Sequence, residues 1–292
     1  MSRSWTTALA IGMIPVGAAT VRADDETAED LIRQARTALA NGRETEALTL
    51  ADRAVQAEPE SANSHLFRAM LHANARRHDL AITDLDVVIQ LEPTAPNMYN
   101  LRGAEHFKLG HIGAAIVDFD KYLELRPDEE PHHWQRGIAY YYAGRFKDGA
   151  RQFDVHKTVN PNDVENAVWR YLCMTPTVGV KKARDELLST KGDSRVPMKE
   201  IHALYAGKGS VADVMAATQA DKPIPRALNQ RLFYANLYIG LYYESLGDAK
   251  RAREHITRAV QSHKIGHYMW DVGKVHLAFA PKIDFKSAPA KD

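Results

Sequence analysis

The stretch PNMYNLRGAEHFKLGHIGAAIVDFDKYLELRPDE, residues 96–129, decides the fold. The proline near its end belongs to a series in which each member follows the last by 34 residues: Pro59, Pro93, Pro127 and Pro161. The chain therefore repeats one 34-residue block four times in a single register, without insertions. The four blocks are residues 28–61, 62–95, 96–129 and 130–163.

Other columns recur with the same period. The eighth position is always small: Ala35, Ala69, Gly103 and Gly137. A small side chain there lets two helices cross closely, because bulk at the contact sets the distance between helix axes. The fifteenth position is glycine in three blocks, where a positive φ can end a helix: Gly42, Gly110 and Gly144. The proline at position thirty-two lacks a backbone donor and closes the second helix. Each block therefore predicts two antiparallel helices joined by a turn.

This pattern resembles the tetratricopeptide repeat (TPR) family, whose 34-residue unit is a helix, a turn and a second helix. The resemblance implies an all-α superhelical solenoid with a concave surface, because stacked helix pairs bury a core that one pair cannot. Helix-breaking residues such as Pro176 and Gly192 predict an irregular helical region over residues 164–232. The register returns at Phe233, so residues 233–280 are predicted to form a TPR-like unit and a capping helix. Two domains divided near Thr175 are the alternative.

The two ends of the chain are predicted to lie outside the repeat region. Residues 1–23 combine Arg3, an uncharged run and small residues before Asp24, which is typical of a cleavable secretory signal peptide. The protein is therefore predicted to be periplasmic or secreted. Because no cysteine lies near the predicted cleavage site, the mature protein is not expected to be a lipoprotein. An uncleaved membrane anchor is the alternative. Residues 281–292 are polar, contain two prolines and are predicted to be disordered.

The composition is that of an ordinary globular chain. Of the 292 residues, 45% are hydrophobic and 26% are charged. Lys and Arg together number 38 against 37 Asp and Glu, so no net field favours nucleic acid or an anionic membrane. The single cysteine, Cys173, excludes an intramolecular disulfide framework and is predicted to be a buried small hydrophobe.

No catalytic arrangement is recognisable in the sequence. The segment from Gly207 to Ser210 lacks the leading glycine spacing of a phosphate-binding loop. His263 and His267 have the i, i+4 spacing of helical metal ligands, but no third ligand is evident. Ser210 and Asp213 have the spacing of a helix cap rather than of a site. We therefore expect a protein without catalysis, cofactor or metal.

Two charged columns also repeat. Position seven is arginine in three blocks and position twenty-five is aspartate in four: Arg68, Arg102 and Arg136, with Asp52, Asp86, Asp120 and Asp154. We interpret them as Arg–Asp pairs that tie helices together, since a guanidinium suits partly buried pairing with a carboxylate. A binding ladder for a charged ligand is the alternative.

The TPR resemblance implies which residues of the first helices face the inner groove. They are Asn63, Leu66, Phe67, Met70, Asn97, Asn100, Leu101, Phe107, Trp134, Gln135, Ile138, Tyr141 and Tyr142. Aromatic residues and methionine are typical of protein-binding surfaces. The groove is therefore predicted to bind a protein or peptide segment of apolar or aromatic character. The alternative is a groove filled by the chain's own later helices, and a homodimer through Tyr234 and Tyr238 is a further possibility.

The architecture and the predicted location are similar to those of NlpI-type bacterial lipoproteins, which scaffold envelope proteases and peptidoglycan hydrolases. The resemblance implies a non-catalytic adaptor in the cell envelope. One alternative is an accessory subunit of an envelope enzyme, or the enzyme itself, in a peptidase or peptidoglycan hydrolase system with its site in the irregular middle region. A purely structural oligomer is the other.

Overall fold

The computed structural model describes residues 26–280, so the predicted signal peptide and the predicted disordered tail lie outside the described residues. Every regular element of the described part is helical. The described residues divide into two compact units, one that ends at Pro59 and one that begins at Glu60.

The first unit contains one helix pair, α1 (Ala28–Ala40) and α2 (Glu44–Ala57). Thr27 caps the N-terminus of α1, since its hydroxyl accepts a hydrogen bond from the amide of Asp30 at 3.1 Å. Gly42 has a φ of +73° in the turn between the helices, as predicted for the fifteenth position. The two helices pack against each other.

The second unit continues the repeats. Its three repeat pairs are α3 (Ala62–Asn74) with α4 (His78–Leu91), α5 (Pro96–Lys108) with α6 (Ile112–Leu125), and α7 (Trp134–Tyr142) with α8 (Phe146–His156). The middle region contains α9 (Val164–Asp185), α10 (Met198–Tyr205) and α11 (Val211–Thr218). The chain then forms α12 (Pro225–Ser245), α13 (Ala249–Ser262) and a closing helix, α14 (Tyr268–Phe279). The predicted fold class, all-α repeats with an irregular middle and a returning C-terminal pair, is confirmed.

Two helices differ from the repeat in length. Helix α7 begins only at Trp134, because Pro131 lies in a 3₁₀ helix (Pro127–His132) and His133 caps α7. Helix α9 continues past Pro176, where a break was expected, and leaves helical geometry at Gly179, whose φ is +82°. The missing amide of Pro176 removes the ordinary partner of the Leu172 carbonyl, which accepts from the Thr175 hydroxyl at 3.0 Å instead.

The eighth position allows the close helix crossing that was predicted for it. A Cβ atom at Gly103 would lie 2.8 Å from the ring of Phe119, and one at Gly137 would lie 2.7 Å from the ring of Phe153. The returning unit repeats this contact, since a Cβ at Gly240 would lie 2.4 Å from Ile256. These contacts leave no room for a methyl group, which explains why the column is glycine in these units.

The charged columns form the predicted pairs between consecutive repeats. Arg102 donates to Asp86 at 2.7 Å and Arg136 donates to Asp120 at 3.1 Å. Arg102 also forms a bidentate pair with Asp118, which is only 2% exposed. All of these contacts join helices of the stack, so they support the structural interpretation over the ligand-binding one.

A continuous core runs from α5 to α14. Cys173 is fully buried in it, as predicted, and burial raises the pKa of its thiol well above the usual range. Ser210 and Asp213 form the expected capping box at the start of α11. Among residues 26–280, no helix has both the length and the apolar composition required to cross a bilayer.

Candidate functional site

The predicted groove residues fall into three classes of exposure. The exposed side chains are Asn63, Met70, Asn97 and Leu101. The half-buried ones are Leu66, Asn100, Trp134 and Gln135. The buried ones are Phe67, Phe107, Ile138, Tyr141 and Tyr142. The exposed members all belong to the second and third repeats, and most of the buried members belong to the third and fourth.

The closing helix α14 covers that buried part. The ring of Tyr268 stacks on Phe107 with centroids 5.5 Å apart and meets Trp134 edge-on at 5.4 Å. At the other end of α14, the ring of Phe279 fills the space beside Gly110 in the turn between α5 and α6. The alternative considered from the sequence, a groove filled by the chain's own later helix, therefore describes the third and fourth repeats.

A buried polar network fastens α14 and α12 to the fourth repeat. The hydroxyl of Tyr141 donates to Glu244 at 2.9 Å, and the hydroxyl of Tyr142 lies 3.2 Å from His276 Nδ1. His276 Nε2 lies 3.5 Å from Glu244 Oε1. Burial raises the pKa of Glu244 to about 7, although the Tyr141 hydrogen bond acts in the opposite direction. Burial also lowers the pKa of His276 to about 4, so the imidazole is neutral at pH 7.

One of the three asparagines that were predicted to face the groove forms a hydrogen bond within the fold. Burial, with Arg136 nearby, lowers the pKa of His133 to about 4 and keeps its ring neutral. Because its Nδ1 accepts from the Arg136 amide, its Nε2 carries the proton and donates to Asn100 Oδ1 at 3.1 Å. The Asn100 carbonyl is thus occupied, whereas Asn63 and Asn97 are exposed.

A cavity of about 450 Å³ remains beside the covered part. Its apolar wall comes from α7, α8, α9 and the start of α14: Trp134, Ile138, Phe153, Trp169 and Met269. Its polar wall includes Asp163, Glu165, Asn166, Arg195 and His267. This volume lies within the range of small-ligand pockets. Trp134 and Ile138 are the predicted groove residues that reach it.

The polar wall is built around Arg195. Its guanidinium donates to Asp163 at 2.6 Å, to Asp193 at 2.6 Å and 2.9 Å, and to Glu165. Glu165 also accepts from the hydroxyl of Tyr238. Burial raises the pKa of Glu165, although Arg195 acts in the opposite direction.

Neither this cluster nor Glu244 was predicted from the sequence. Asp163 and Glu165 lie at the start of α9, while Asp193 and Arg195 lie in the segment before α10. Arg195 follows Glu165 by 30 residues, across the rest of α9 and the segment before α10, so no periodic signal connects them. The one signal in the sequence is that Asp163 and Glu165 stand at the start of the apolar helical segment that contains Trp169.

The paired histidines do not converge on a metal site. His263 Nδ1 lies 3.2 Å from Asn229 Oδ1, and His267 caps α14 by accepting from the Met269 amide. Over residues 26–280, no group of three or more His, Cys, Asp or Glu side chains is arranged to hold a metal ion.

Two family models match the chain, and both describe the tetratricopeptide repeat. The first covers residues 32–96 and the second covers residues 96–129. Together they cover residues 32–129, which lie in the first three repeat blocks. No curated protein matches the chain.

Solved structures are similar to a larger part of the chain. A tetratricopeptide repeat protein from Parabacteroides merdae ATCC 43184 is 15% identical, with a TM-score of 0.57 over 87% of this chain and 98% of that chain. A crystal structure of MamA protein is 13% identical, with a TM-score of 0.50 over 68% of this chain and 98% of that chain. At these identities the likeness shows the fold.

Proposed function

Because the chain is a tetratricopeptide-repeat protein, we propose that it is a non-catalytic scaffold that binds a segment of a partner protein on the inner face of its repeats. The observation that carries this proposal is the cavity beside α7 and α9, which includes the predicted groove residues Trp134 and Ile138. The exposed apolar side chains of Met70 and Leu101 add contact area in the second and third repeats.

The geometry favours a preformed receptor. The aromatic walls of the cavity are held by the surrounding helices, and Trp169 is 1% exposed. A rigid site of this kind leaves the ordering entropy mainly with the incoming segment. Because α14 covers Phe107 and Tyr142, the segment can bind only on the parts of the inner face that α14 leaves open. Apolar or aromatic side chains on the segment suit the cavity wall.

The experiment compares one substitution at two valines. Val159 lines the cavity and is 40% exposed, whereas Val117 is 67% exposed on α6 and does not line it. Val159→Trp places bulk at the cavity, and Val117→Trp is the matched control. Partner proteins are captured from an extract of the source organism and identified by mass spectrometry. We expect Val159→Trp to lose partners that wild type and Val117→Trp both retain. Identical partner sets for all three proteins would contradict the proposal.

We also propose that the scaffold acts in the cell envelope, which rests on the signal-like pattern of residues 1–23. Fusing this segment to an alkaline phosphatase that is active only after export tests the location independently of binding. Phosphatase activity is the expected result. Loss of the activity on replacing the uncharged run with charged residues is the control, and an inactive parent fusion would contradict export.

The second candidate function is an envelope enzyme or its accessory subunit. The observation in its favour is Glu165, a carboxylate of raised pKa in a cavity at the edge of the middle region. However, one Glu165 oxygen accepts from Tyr238 and the other from Arg195, so the group already serves the packing of α9 and α12. We therefore prefer the scaffold.

A further inference from the structure

The charged cluster around Arg195, of which Asp163, Glu165 and Arg195 line the cavity, has more carboxylates than cations. Asp163, Glu165 and Asp193 all contact one guanidinium, that of Arg195. With every group ionised, this cluster has a formal surplus of two negative charges. Burial, with Arg195 nearby, lowers the pKa of His267, which lines the same cavity, and this favours the neutral form of its imidazole.

Arg195 is not available to attract an anion. Its Nε donates to Asp193, its NH1 donates to Glu165, and its NH2 is shared between Asp163 and Asp193. All three guanidinium nitrogens are therefore engaged. Each carboxylate oxygen can accept two hydrogen bonds, so the carboxylates retain acceptor capacity, while four of the five guanidinium N–H groups are already used. An anionic ligand would face net repulsion here.

The cavity wall supplies two further features that suit a cation. The half-buried Trp134 presents aromatic surface, which attracts a cation placed over a ring face. Asn166, another lining residue, is 4% exposed, and its Oδ1 accepts no hydrogen bond from the described residues. An unpartnered buried carbonyl is costly unless a donor reaches it, and the cavity is the side from which a donor can come.

We propose that this cavity receives the side chain of an arginine or lysine residue of the bound partner segment. The aliphatic stem lies along the apolar wall formed by Trp134, Phe153 and Trp169, while the charged head lies near Asp163 and Glu165. In other proteins, too, lysine and arginine side chains bury their aliphatic stem against apolar surface while the charged head stays in a polar environment. The proposal rests on the proposed function, because it specifies one residue of the segment that the scaffold binds. It also changes the expected partner chemistry from purely apolar to apolar with one basic anchor.

The test uses peptides, since the natural segment is unidentified. A random peptide library is selected on the full wild-type chain, and one enriched peptide is synthesised in two forms. One form keeps its basic residue as arginine, and the other contains citrulline, the uncharged isostere. Affinities are measured by fluorescence anisotropy for wild type, Glu165→Gln and Asn166→Leu. The citrulline comparison alters only the ligand, so it is unaffected by any folding defect of a variant.

We expect the enriched peptides to share a basic residue at a fixed position. The arginine form should bind wild type about tenfold more tightly than the citrulline form. That ratio should fall towards one in Glu165→Gln, which keeps the acceptor for Tyr238 but removes the charge. Asn166→Leu should also weaken the arginine form more than the citrulline form.

The outcomes separate the two proposals. Enriched peptides that lack a basic residue, or equal affinities of the two forms for wild type, would overturn the basic anchor and leave the scaffold proposal standing. Failure to enrich any peptide would overturn both. An arginine preference that Val159→Trp leaves unchanged would place the basic residue outside this cavity and would also overturn the inference.

Discussion

The ring of Tyr268 stacks on the ring of Phe107 with centroids 5.5 Å apart, although the two residues belong to the closing helix and the third repeat. This contact places α14 on the inner face of the repeats. The sequence could not reveal it, because Phe107 occupies an ordinary inner-groove position and Tyr268 lies outside the repeats.

The ring of Tyr268, and not its hydroxyl, should contribute to the free energy of unfolding. The Tyr268 hydroxyl is buried without a hydrogen-bond partner in the described part of the chain. Tyr268→Phe should therefore change the free energy of unfolding by less than about 0.5 kcal/mol. Tyr268→Ala should lower it by about 3 kcal/mol, because both Phe107 and Trp134 lose a packed ring. Urea denaturation measures both, and equal stabilities of the two variants would show that α14 does not rest on this ring.

The close helix crossing predicts opposite effects for one substitution at two glycines. Gly137→Ala should destabilise by about 1–3 kcal/mol, since the new methyl group would meet Phe153 at 2.7 Å. Gly113→Ala lies in α6 with nothing within 4 Å, so it should stabilise by about 0.5–1 kcal/mol through helix propensity. Thermal unfolding of the two variants tests the pair, and stabilisation by Gly137→Ala would contradict the packing.

Glu244 predicts a pH dependence with a defined sign. Because burial raises its pKa from 4.5 to about 7, the folded state binds the proton more tightly than the unfolded state. Its contribution to stability is therefore complete below pH 4.5 and is lost as the pH rises to about 7, by about 3 kcal/mol. His276 acts in the opposite direction, since its lowered pKa costs stability as the pH falls below 6.5.

Glu244→Gln removes only the first effect and keeps an acceptor for Tyr141. Relative to wild type, the variant should gain stability progressively between pH 4.5 and pH 7 and remain constant above that range. The control is Glu124→Gln, since the Glu124 side chain is 67% exposed and its substitution should leave the profile unchanged. If the difference in the free energy of unfolding between wild type and Glu244→Gln did not change with pH, a buried, protonated Glu244 would be excluded.

Arg76 occupies the turn position that is glycine in the other repeats, and it has the same left-handed backbone with a φ of +60°. Its guanidinium donates to the buried Asp271 and lies 4.3 Å above the ring of Trp270, both in α14. Arg76→Ala should destabilise by about 3 kcal/mol, because Asp271 loses its partner. Arg76→Gly loses the same pair but relieves the backbone, so it should be about 1 kcal/mol more stable than Arg76→Ala. The reverse order, measured by urea denaturation, would exclude backbone strain at Arg76.

The parts of the fold that the sequence predicted are those that repeat. A period of 34 residues located the helix pairs, the glycine at Gly137 and the pairing of Arg102 with Asp86, because each contact recurs at a fixed spacing. The contact of Tyr268 with Phe107 and the cluster around Arg195 occur once. They depend on how the irregular middle region folds back, and no local pattern encodes that. The signal peptide and the similarity to NlpI-type proteins remain predictions.

The most direct test of the account is site-specific photo-crosslinking within the intact chain. A benzophenone amino acid replaces Val159 at the cavity or Val117 on α6, and crosslinked partners are digested and sequenced by mass spectrometry. The account predicts adducts from position 159 that map to one short segment of a partner, with a basic residue near the attachment point, and none of these from position 117. The same partner segments attached at both positions, or at position 117 alone, would contradict binding on the inner face of the repeats.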